Sequence, residues 1–543
     1  MKNSFHPIFF DPRLCRGHRS CLRACPTQAV RIRSGRAKKI ADLCIDCGEC
    51  IKVCERHAVR SVTHSMRRLS RFDCAVAVPS VALYTQLDAP PSVVHRALTR
   101  CGFSAVASIS SACDEASVAI GLYVTEHRDR YPLLASDCPT VVRLVQARYP
   151  SLVDRLLPLL PPRELAGRAA REQLMASTGL APHRIGVIYI TPCPSKMVSI
   201  LEHPGMRHSH LDAAVSIAEL FPAMLSAARR PEGEEGPSDE PETAGGLRWA
   251  WVGGRSDWLS EENSLSVAGL GNVIRILDDL EKGRLTDYAL ISPAACIEGC
   301  VSGPLTVEDP YVARARAIHL TRTLADVPPD RTAIEARYRA GDYLNELPLE
   351  QRPPRLVPNG MDKAIARMRE RELLFADLPG IDCGACGAPS CAAFADDVAS
   401  GAADRLDCIF LRGDGARSGV ECLKEERLMT VSEAVRRLEG RLVTGHERAS
   451  ETVHGGYASD LLSDVMANAQ AGDLWVTLQR HANIVAVASV RELAGVVLVA
   501  GREPEEPALL RAREEGVPII VTPLRAFEAI GRLHGAGLHG REG

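Results

Sequence analysis

Nineteen cysteines punctuate the 543-residue chain, and their spacing is its first chemistry. Cys44, Cys47, Cys50 and Cys54 stand as C-x2-C-x2-C-x3-C. Such short spacers let a tight loop aim three thiolates at one iron–sulfur cube, while the fourth serves a second cluster. Upstream lie Cys15, Cys21 and Cys25, followed by Pro26, with His18 where a full repeat of the spacing would place a cysteine. Interleaving predicts one [4Fe–4S] cluster held by Cys25, Cys44, Cys47 and Cys50. The other would use Cys15, Cys21 and Cys54, with His18 as candidate fourth ligand; the alternative is a three-cysteine cluster with His18 merely beside it. A neutral imidazole in place of an anionic thiolate would raise that cluster's potential. A third set, Cys383, Cys386, Cys391 and Cys408, lies in IDCGACGAPSCAAFADDVASGAADRLDC. Its glycines permit the positive-φ turns that wrap a loop round a cube, and the stretch after Cys391 can return Cys408 as a helix. Four more cysteines sit apart: Cys138 in ASDCPTVVRLVQARYP, Cys193 in TPCPSKMVSI, and Cys296 and Cys300 in SPAACIEGCVSGP. Taken singly each is weak, and Cys193, closing the apolar run IGVIYITPC, fits a core thiol as well. Cys74, Cys101, Cys113 and Cys422 match no motif and default to small buried hydrophobes.

Taken together and in order, the segments around these four separate cysteines resemble the three signatures of the [FeFe]-hydrogenase catalytic domain, over roughly residues 73–330. The resemblance implies that Cys138, Cys193, Cys296 and Cys300 hold a [4Fe–4S] cube. Cys300 would bridge it to a two-iron subcluster bearing CO, CN⁻ and a dithiolate, the pair forming the H-cluster. Lys196 falls on the lysine that hydrogen-bonds a cyanide, an ammonium suiting a negatively polarised nitrogen, with Ser195 as a further polar contact. Asp137 falls on the position before the first ligand, where fast members carry a proton-delivering cysteine. Thr191 and Ala294 stand where the family has methionines, and Ser199 where it has a glutamate. Ser302-Gly303-Pro304 replaces a glycine-rich run. A thiol titrating near about 8.5 exchanges protons readily at neutral pH, and a carboxylate near about 3.9 does not. Slow turnover is therefore expected, and the substitutions resemble the sensory branch of the family. The first 72 residues resemble a two-cluster ferredoxin, and the Cys383 segment resembles the small iron–sulfur domain of RnfB subunits and corrinoid iron–sulfur proteins.

The elements that must position these residues are those of a multidomain α/β protein. Short apolar runs (VALYTQL, RIGVIYI, YALIS) alternate with helix-like stretches in the middle of the chain, which argues for an α/β core. The expected parts are a ferredoxin-like module over 1–72, a hydrogenase-like domain over 73–350, a small Fe–S domain over 359–425 and a tail over 440–543. Residues 231–246, acidic and rich in Pro and Gly, are expected to be a disordered insertion, and 350–358 a linker. Residues 361–375 are expected to be helical. Thr430 and Glu433 have capping-box spacing ahead of a helix. Four β-like runs follow (LWVTL, NIVAVAS, GVVLVAG and VPIIVT), suggesting a small parallel sheet. This tail resembles the DRTGG regulatory domain through GGYASDLLSDVMANA and LWVTLQRHANIVAVA, without the signature residues. Gly455-Gly456 is either a tight turn or an anion seat at a helix start.

Composition limits the alternatives. Net charge is −3, with 46% hydrophobic and 4% aromatic residues, and no basic–aromatic stripe points to nucleic acid. The longest apolar run, 483–501, is broken by Arg491 and Glu492, short of the ~18 residues of a membrane span. The first residues lack the apolar stretch of a signal peptide, so a cytoplasmic location is expected, where thiols rarely form structural disulfides. Residues 1–72 hold sixteen Lys and Arg against five Asp and Glu; this suits an acidic partner such as ferredoxin, or balances anionic clusters. The resemblance implies slow H₂ oxidation, or H₂ or redox sensing, with electrons passing through several [4Fe–4S] clusters. Maturation proteins and a signalling kinase or phosphatase are the further partners it implies. Two alternatives are a non-catalytic scaffold, similar to the eukaryotic hydrogenase-like assembly proteins and lacking the two-iron subcluster, and a bidirectional ferredoxin-linked hydrogenase subunit.

Overall fold

The computed structural model describes residues 5–230, 242–254, 263–352, 361–411 and 429–540. It falls into two compact units, Met1–Asp404 and Arg405–Gly543.

The first unit opens with two antiparallel pairs that frame the N-terminal cysteines. Strand β1 (Ile8–Phe10) pairs with β4 (Val59–Ser61), and β2 (Val30–Arg33) with β3 (Arg36–Lys39). Ser34 and Gly35 both take positive φ, 50° and 70°, as a two-residue hairpin turn demands. Seven strands follow: β5 (Cys74–Pro79), β6 (Ala105–Val106), β7 (Leu133–Leu134), β8 (Ile185–Thr191), β9 (Ala213–Ser216), β10 (Ser264–Ala268) and β11 (Leu290–Ala294). They form two wholly parallel sheets, ordered β6-β5-β8-β9 and β10-β11-β7. Every residue of β8, IGVIYIT, is buried, the continuous apolar pattern of a sheet covered on both faces. The carboxyl ends of β7, β8 and β11 run directly into the segments carrying Cys138, Cys193 and Cys296. Ligands of parallel α/β sheets gather at that edge because the chain turns there into its helices.

The run VALYTQL is not a strand. Val81–Thr85 forms a 3-10 turn, every residue of it buried, started by Ser80 Oγ accepting from Ala82 N. A short apolar run signals burial and not the type of element. The expected insertion over 231–246 falls mostly on residues outside the described set, but Glu242 to Gly246 are packed. Glu242, 3% exposed, accepts from Tyr84 Oη at 2.7 Å and from Ser110 N at 2.9 Å. The expected linker lies largely outside the described residues, as does Cys422. The expected helix at 361 spans Met361–Asp377. Cys74 and Cys113 are buried, and Cys101 is partly so.

In the second unit β12 (Met429–Thr430) pairs with β14 (Thr452–Val453). A five-stranded sheet is ordered β13 (Arg441–Thr444), β18 (Ile519–Val521), β17 (Gly495–Leu498), β16 (Asp473–Thr477) and β15 (Gly455–Ala458), with only β13 antiparallel. Thr430 caps its helix as expected, its Oγ1 accepting from Glu433 N at 3.2 Å. NIVAVAS is a helix, Asn483–Val490, and not a strand. It is the crossover between parallel β16 and β17, a connection that cannot be made by a hairpin. Gly455 and Gly456 are strand residues paired with Asp473 and Leu474, neither a turn nor a helix start.

Within the first unit the N-terminal module packs on the parallel domain at Gly48. Its φ is +81°, and a Cβ there would lie 2.4 Å from Pro304 Cγ and 3.5 Å from Pro194 Cδ. Gly48→Ala is expected to destabilise the chain by about 1–3 kcal/mol through overpacking and left-handed strain, read as a lowered unfolding midpoint in calorimetry.

Candidate metal centre

Four cysteines from three separated segments line one cavity. Cys138 precedes the helix Pro139–Arg148 and Cys193 precedes Pro194–Glu202, each as the residue before a proline-led first turn. That arrangement suits both sides, since proline needs no donor at the first helical position and the preceding residue stays extended. Cys296 and Cys300 flank the turn after β11. With Cys47 of the N-terminal module, the four thiols face about 660 Å³ of free space, counting the open mouth, walled by Trp249 and Trp251. Gly299 and Gly303 keep the wall tight. A Cβ at Gly299 would sit 2.9 Å from Trp251 Cα, and one at Gly303 2.4 Å from the Pro192 carbonyl oxygen.

Burial sets the protonation of this site. It pushes the Cys138 thiol up to about 11, Cys296 up to about 12 and Cys193 above its usual range. Lys196, 9% exposed, donates from Nζ to Cys300 Sγ at 3.1 Å. Burial works against its charge, yet Cys300, Tyr189 and Cys193 together hold its pKa well above the usual lysine value. Ser195 is fully buried, and its Oγ has no hydrogen-bond partner among the described residues. Four convergent thiols, a fixed ammonium and an orphaned hydroxyl beside it fit a thiolate-bound cluster carrying anionic ligands, because dry thiolates need a cation to stay ionised. Asp137 lines the same cavity. Of the positions expected to depart from the family, Ala294 lines the cavity, Thr191 Oγ1 is bonded to Cys193 O at 2.8 Å, and Ser199 Oγ accepts from Arg163 at 3.0 Å.

Residues 74–246 match the family model of the iron only hydrogenase large subunit, C-terminal domain, a span that holds Cys138 and Cys193. This is a divergent hydrogenase-like chain. Residues 7–55 match a 4Fe-4S dicluster domain and 378–410 an Fe-S cluster family that spans all four cysteines of the third set. Iron hydrogenase 1 of Clostridium pasteurianum is 23% identical over 256 residues, which are 39% of this chain. The chain thus matches 44% of the length of that curated relative. The solved structure on stepwise [FeFe]-hydrogenase H-cluster assembly in HydA(deltaEFG) is 18% identical and covers 53% of this chain and 100% of its own, with a TM-score of 0.42. An apo [FeFe]-hydrogenase HydA1 from Chlamydomonas reinhardtii is similar at 17% identity, the same shares and the same TM-score. The CBS and DRTGG domains of a Clostridium perfringens pyrophosphatase cover 20% of this chain and 46% of their own, at 15% identity and a TM-score of 0.18. Among the described residues, no helix is long and apolar enough to cross a membrane.

Beside the hydrogenase-like domain, the N-terminal cysteines gather as two groups. Cys15, His18, Cys21 and Cys54 line one cavity. Cys25 and Cys44 lie close enough to Cys50 to raise its thiol further after burial, and Cys25 and Cys50 act likewise on Cys47. Cys47 also lines the hydrogenase-like cavity, which brings the second group next to that site. Lys52 Nζ reaches across to Cys296 Sγ at 3.7 Å while pairing with Glu49 at 2.8 Å.

The Cys383 loop docks on β2. Ile32 N donates to Gly387 O at 2.8 Å, Arg33 to Cys386 O at 3.0 Å, and Arg31 and Arg33 clamp Asp397 at 2.5 and 2.6 Å. Part of the basic charge of residues 1–72 is therefore taken up inside the chain. Cys408 is buried and lies past the division at Asp404, in the second unit.

Several contributors carry no metal-ligand signature. Asp46, fully buried at φ 51°, takes His6 at 2.7 Å and Arg143 at 2.5 Å. Burial pushes its carboxyl up, but His6 and Arg143 outweigh this and hold it below the usual range. Its place inside the C-x-D-C run was the available signal. Lys52 and Arg163 had none, because their partners come from remote segments.

Proposed function

We propose that the chain is an iron–sulfur redox protein whose Cys138, Cys193, Cys296 and Cys300 hold the cube of an H-cluster, turning over H₂ slowly or reporting its redox state. The observation that carries this is the single cavity in which four thiols from remote segments meet Lys196, 3.1 Å from Cys300 Sγ. When bound, the two-iron group supplies the site at which H₂ is split. The protein's own part is positional. Cys300 would serve as a thiolate ligand, Lys196 would hold a negatively polarised ligand of the group through its ammonium, Ser195 offers its unpaired hydroxyl, and the Trp249 and Trp251 wall limits water. Asp137 is the group on the cavity wall placed to hold or pass a proton.

Cys25, Cys44, Cys47 and Cys50 hold the nearest [4Fe–4S] cluster, and Cys15, His18, Cys21 and Cys54 the next. Cys383, Cys386 and Cys391 bind a further one, the matched segment also containing Cys408. Electrons enter or leave along this series, exchanged with ferredoxin or a similar carrier. The absent thiol at position 137 supports slow turnover, and slow turnover beside a separate small α/β unit supports sensing, with a kinase or phosphatase as recipient. Infrared spectra after artificial maturation test the core of this proposal. Bands of metal-bound CO and CN⁻ are expected; a matured protein without them loses the two-iron group and leaves the scaffold alternative. Brisk H₂ oxidation with a dye acceptor would instead favour a bidirectional enzyme subunit over a sensor.

A further inference from the structure

A second cavity lies behind the helix Pro139–Arg148 and shares Pro139 with the thiol-lined one. It holds about 510 Å³ of free space, counting its mouth, and Arg143, Arg163, Arg352, Gln146, Asn345 and Glu202 contribute its polar wall. Arg143 and Arg163 are only 4% and 7% exposed. Arg143 commits one nitrogen to Asp46 at 2.5 Å, but its Nε and other terminal nitrogen have no hydrogen-bond partner among the described residues. That second nitrogen stands 3.7 Å from Glu202 Oε1, an ion-pair distance too long for a hydrogen bond. Arg163 donates to Ser199 Oγ at 3.0 Å and to Asp137 O at 3.4 Å, leaving its Nε unpartnered. Glu202 is bonded through Oε2 to Arg352, while its Oε1, like the Arg143 nitrogen facing it, has no hydrogen-bond partner among the described residues.

A guanidinium cannot shed its proton to escape burial, so an unpaired N–H on a buried arginine asks for an acceptor. The charges give the sign of that acceptor. Three guanidinium groups face the cavity against one carboxylate, Glu202; Asp46, itself shared with His6, stands behind Arg143. The crowding is felt at Arg352, whose pKa is lowered by burial and by Arg143 against the pull of Glu202. One net positive charge remains, with donor forks of the geometry that matches planar or tetrahedral oxygens.

We propose that this cavity binds a small oxyanion, carboxylate or phosphate, accepted between Arg143, Arg163 and Arg352. The site does not depend on the two-iron group. It does lie close to the thiols, since the Arg163 charge acts on both Cys193 and Lys196; an occupant neutralising Arg163 would alter the field in which the cluster ligands sit. Its role would then be that of an effector site.

Titration calorimetry on the full chain, at constant ionic strength, tests the assignment with inorganic phosphate and, separately, acetate. Saturable binding of one anion per chain is expected, weakened about tenfold or more by Arg163→Gln and by Arg352→Gln, each removing a charge-assisted hydrogen bond. Phosphate alone binding would identify a phosphate site, acetate alone a carboxylate site, and both together the shared chemistry. Arg163→Gln carries a folding risk, but Arg352 is 35% exposed at the side chain, so its variant keeps the test decisive. Absence of saturable binding by either anion, or affinity unchanged in folded Arg352→Gln, would overturn the proposal and leave the cavity to water.

Discussion

Lys196→Met is expected to leave the chain folded while H₂ activity of the matured protein falls by about a hundredfold or more, with the CO and CN⁻ infrared bands lost or displaced. The two halves of this result have separate physical causes. Lys196 is a buried ammonium paired at 3.1 Å with Cys300 Sγ. Losing the ammonium removes its desolvation penalty, and a sulfur partner strands no charge, because a thiol in apolar surroundings keeps its proton. The unfolding midpoint of the cluster-free chain should therefore hold or rise. Function moves the other way. A preorganised donor aimed at developing or resident negative charge in a dry site contributes about 2.7–4 kcal/mol, the equivalent of a hundredfold or more in rate. Cys300→Ala gives the complementary result. It strands the ammonium without its sulfur, and breaking a buried pair from one side costs about 3–5 kcal/mol; the double variant should recover much of that loss, as contacting residues do. Equal loss of stability in both single variants would make Lys196 a structural residue only. Retained activity in Lys196→Met would remove it from the functional site.

Asp137→Cys is expected to accelerate H₂/D⁺ exchange of the matured protein by on the order of 10²-fold, at the low end of what a positioned acid or base contributes. Asp137 stands on the cavity wall immediately before Cys138, so a substituent there meets whatever the thiols hold. It also lines an adjoining, mostly apolar cavity shared with Tyr343, whose hydroxyl donates to Glu115 at 2.9 Å. A proton leaving position 137 thus has few polar stations before Tyr343, which puts the burden on the group at 137 itself. A thiol, whose ordinary pKa is about 8.5, gives and regains a proton at neutral pH with less penalty than a carboxylate of about 3.9. Asp137→Ala supplies the control: exchange unchanged from the natural protein shows that the carboxylate is not the relay. An Asp137→Cys protein no faster than the natural one would show that turnover is limited elsewhere, at Ser199 or in electron delivery.

Cysteine spacing guides the reading of this chain because thiols that serve one cluster from a shared loop must lie close along the sequence. Three thiols within ten residues must share a loop, and the loop must bend at glycines such as Gly48 and Gly384, both at positive φ. Spacing therefore anticipated the gathering of Cys15, His18, Cys21 and Cys54 at one cavity. Apolar runs were a weaker guide. Val81–Thr85 and Asn483–Val490 are as apolar as β8, yet one is a 3-10 turn and the other a helix. Burial demands apolar side chains in any element, and only the need to cross between parallel β16 and β17 makes 483–490 helical.

What this sequence determined by itself is the set of local constellations: two interleaved cysteine groups, a glycine-rich third, and four dispersed cysteines in family order. What only the tertiary structure decided is how charges from remote segments meet them. Lys52 lies 244 residues from Cys296 and Arg143 lies 97 from Asp46, and the unpaired nitrogens of Arg143 and Arg163 are visible only once a common cavity surrounds them. Ligand spacing is imposed by the size of a cluster and so is written along the chain. Electrostatic pairing is imposed by distance in space and by the loss of water, which no stretch of sequence records.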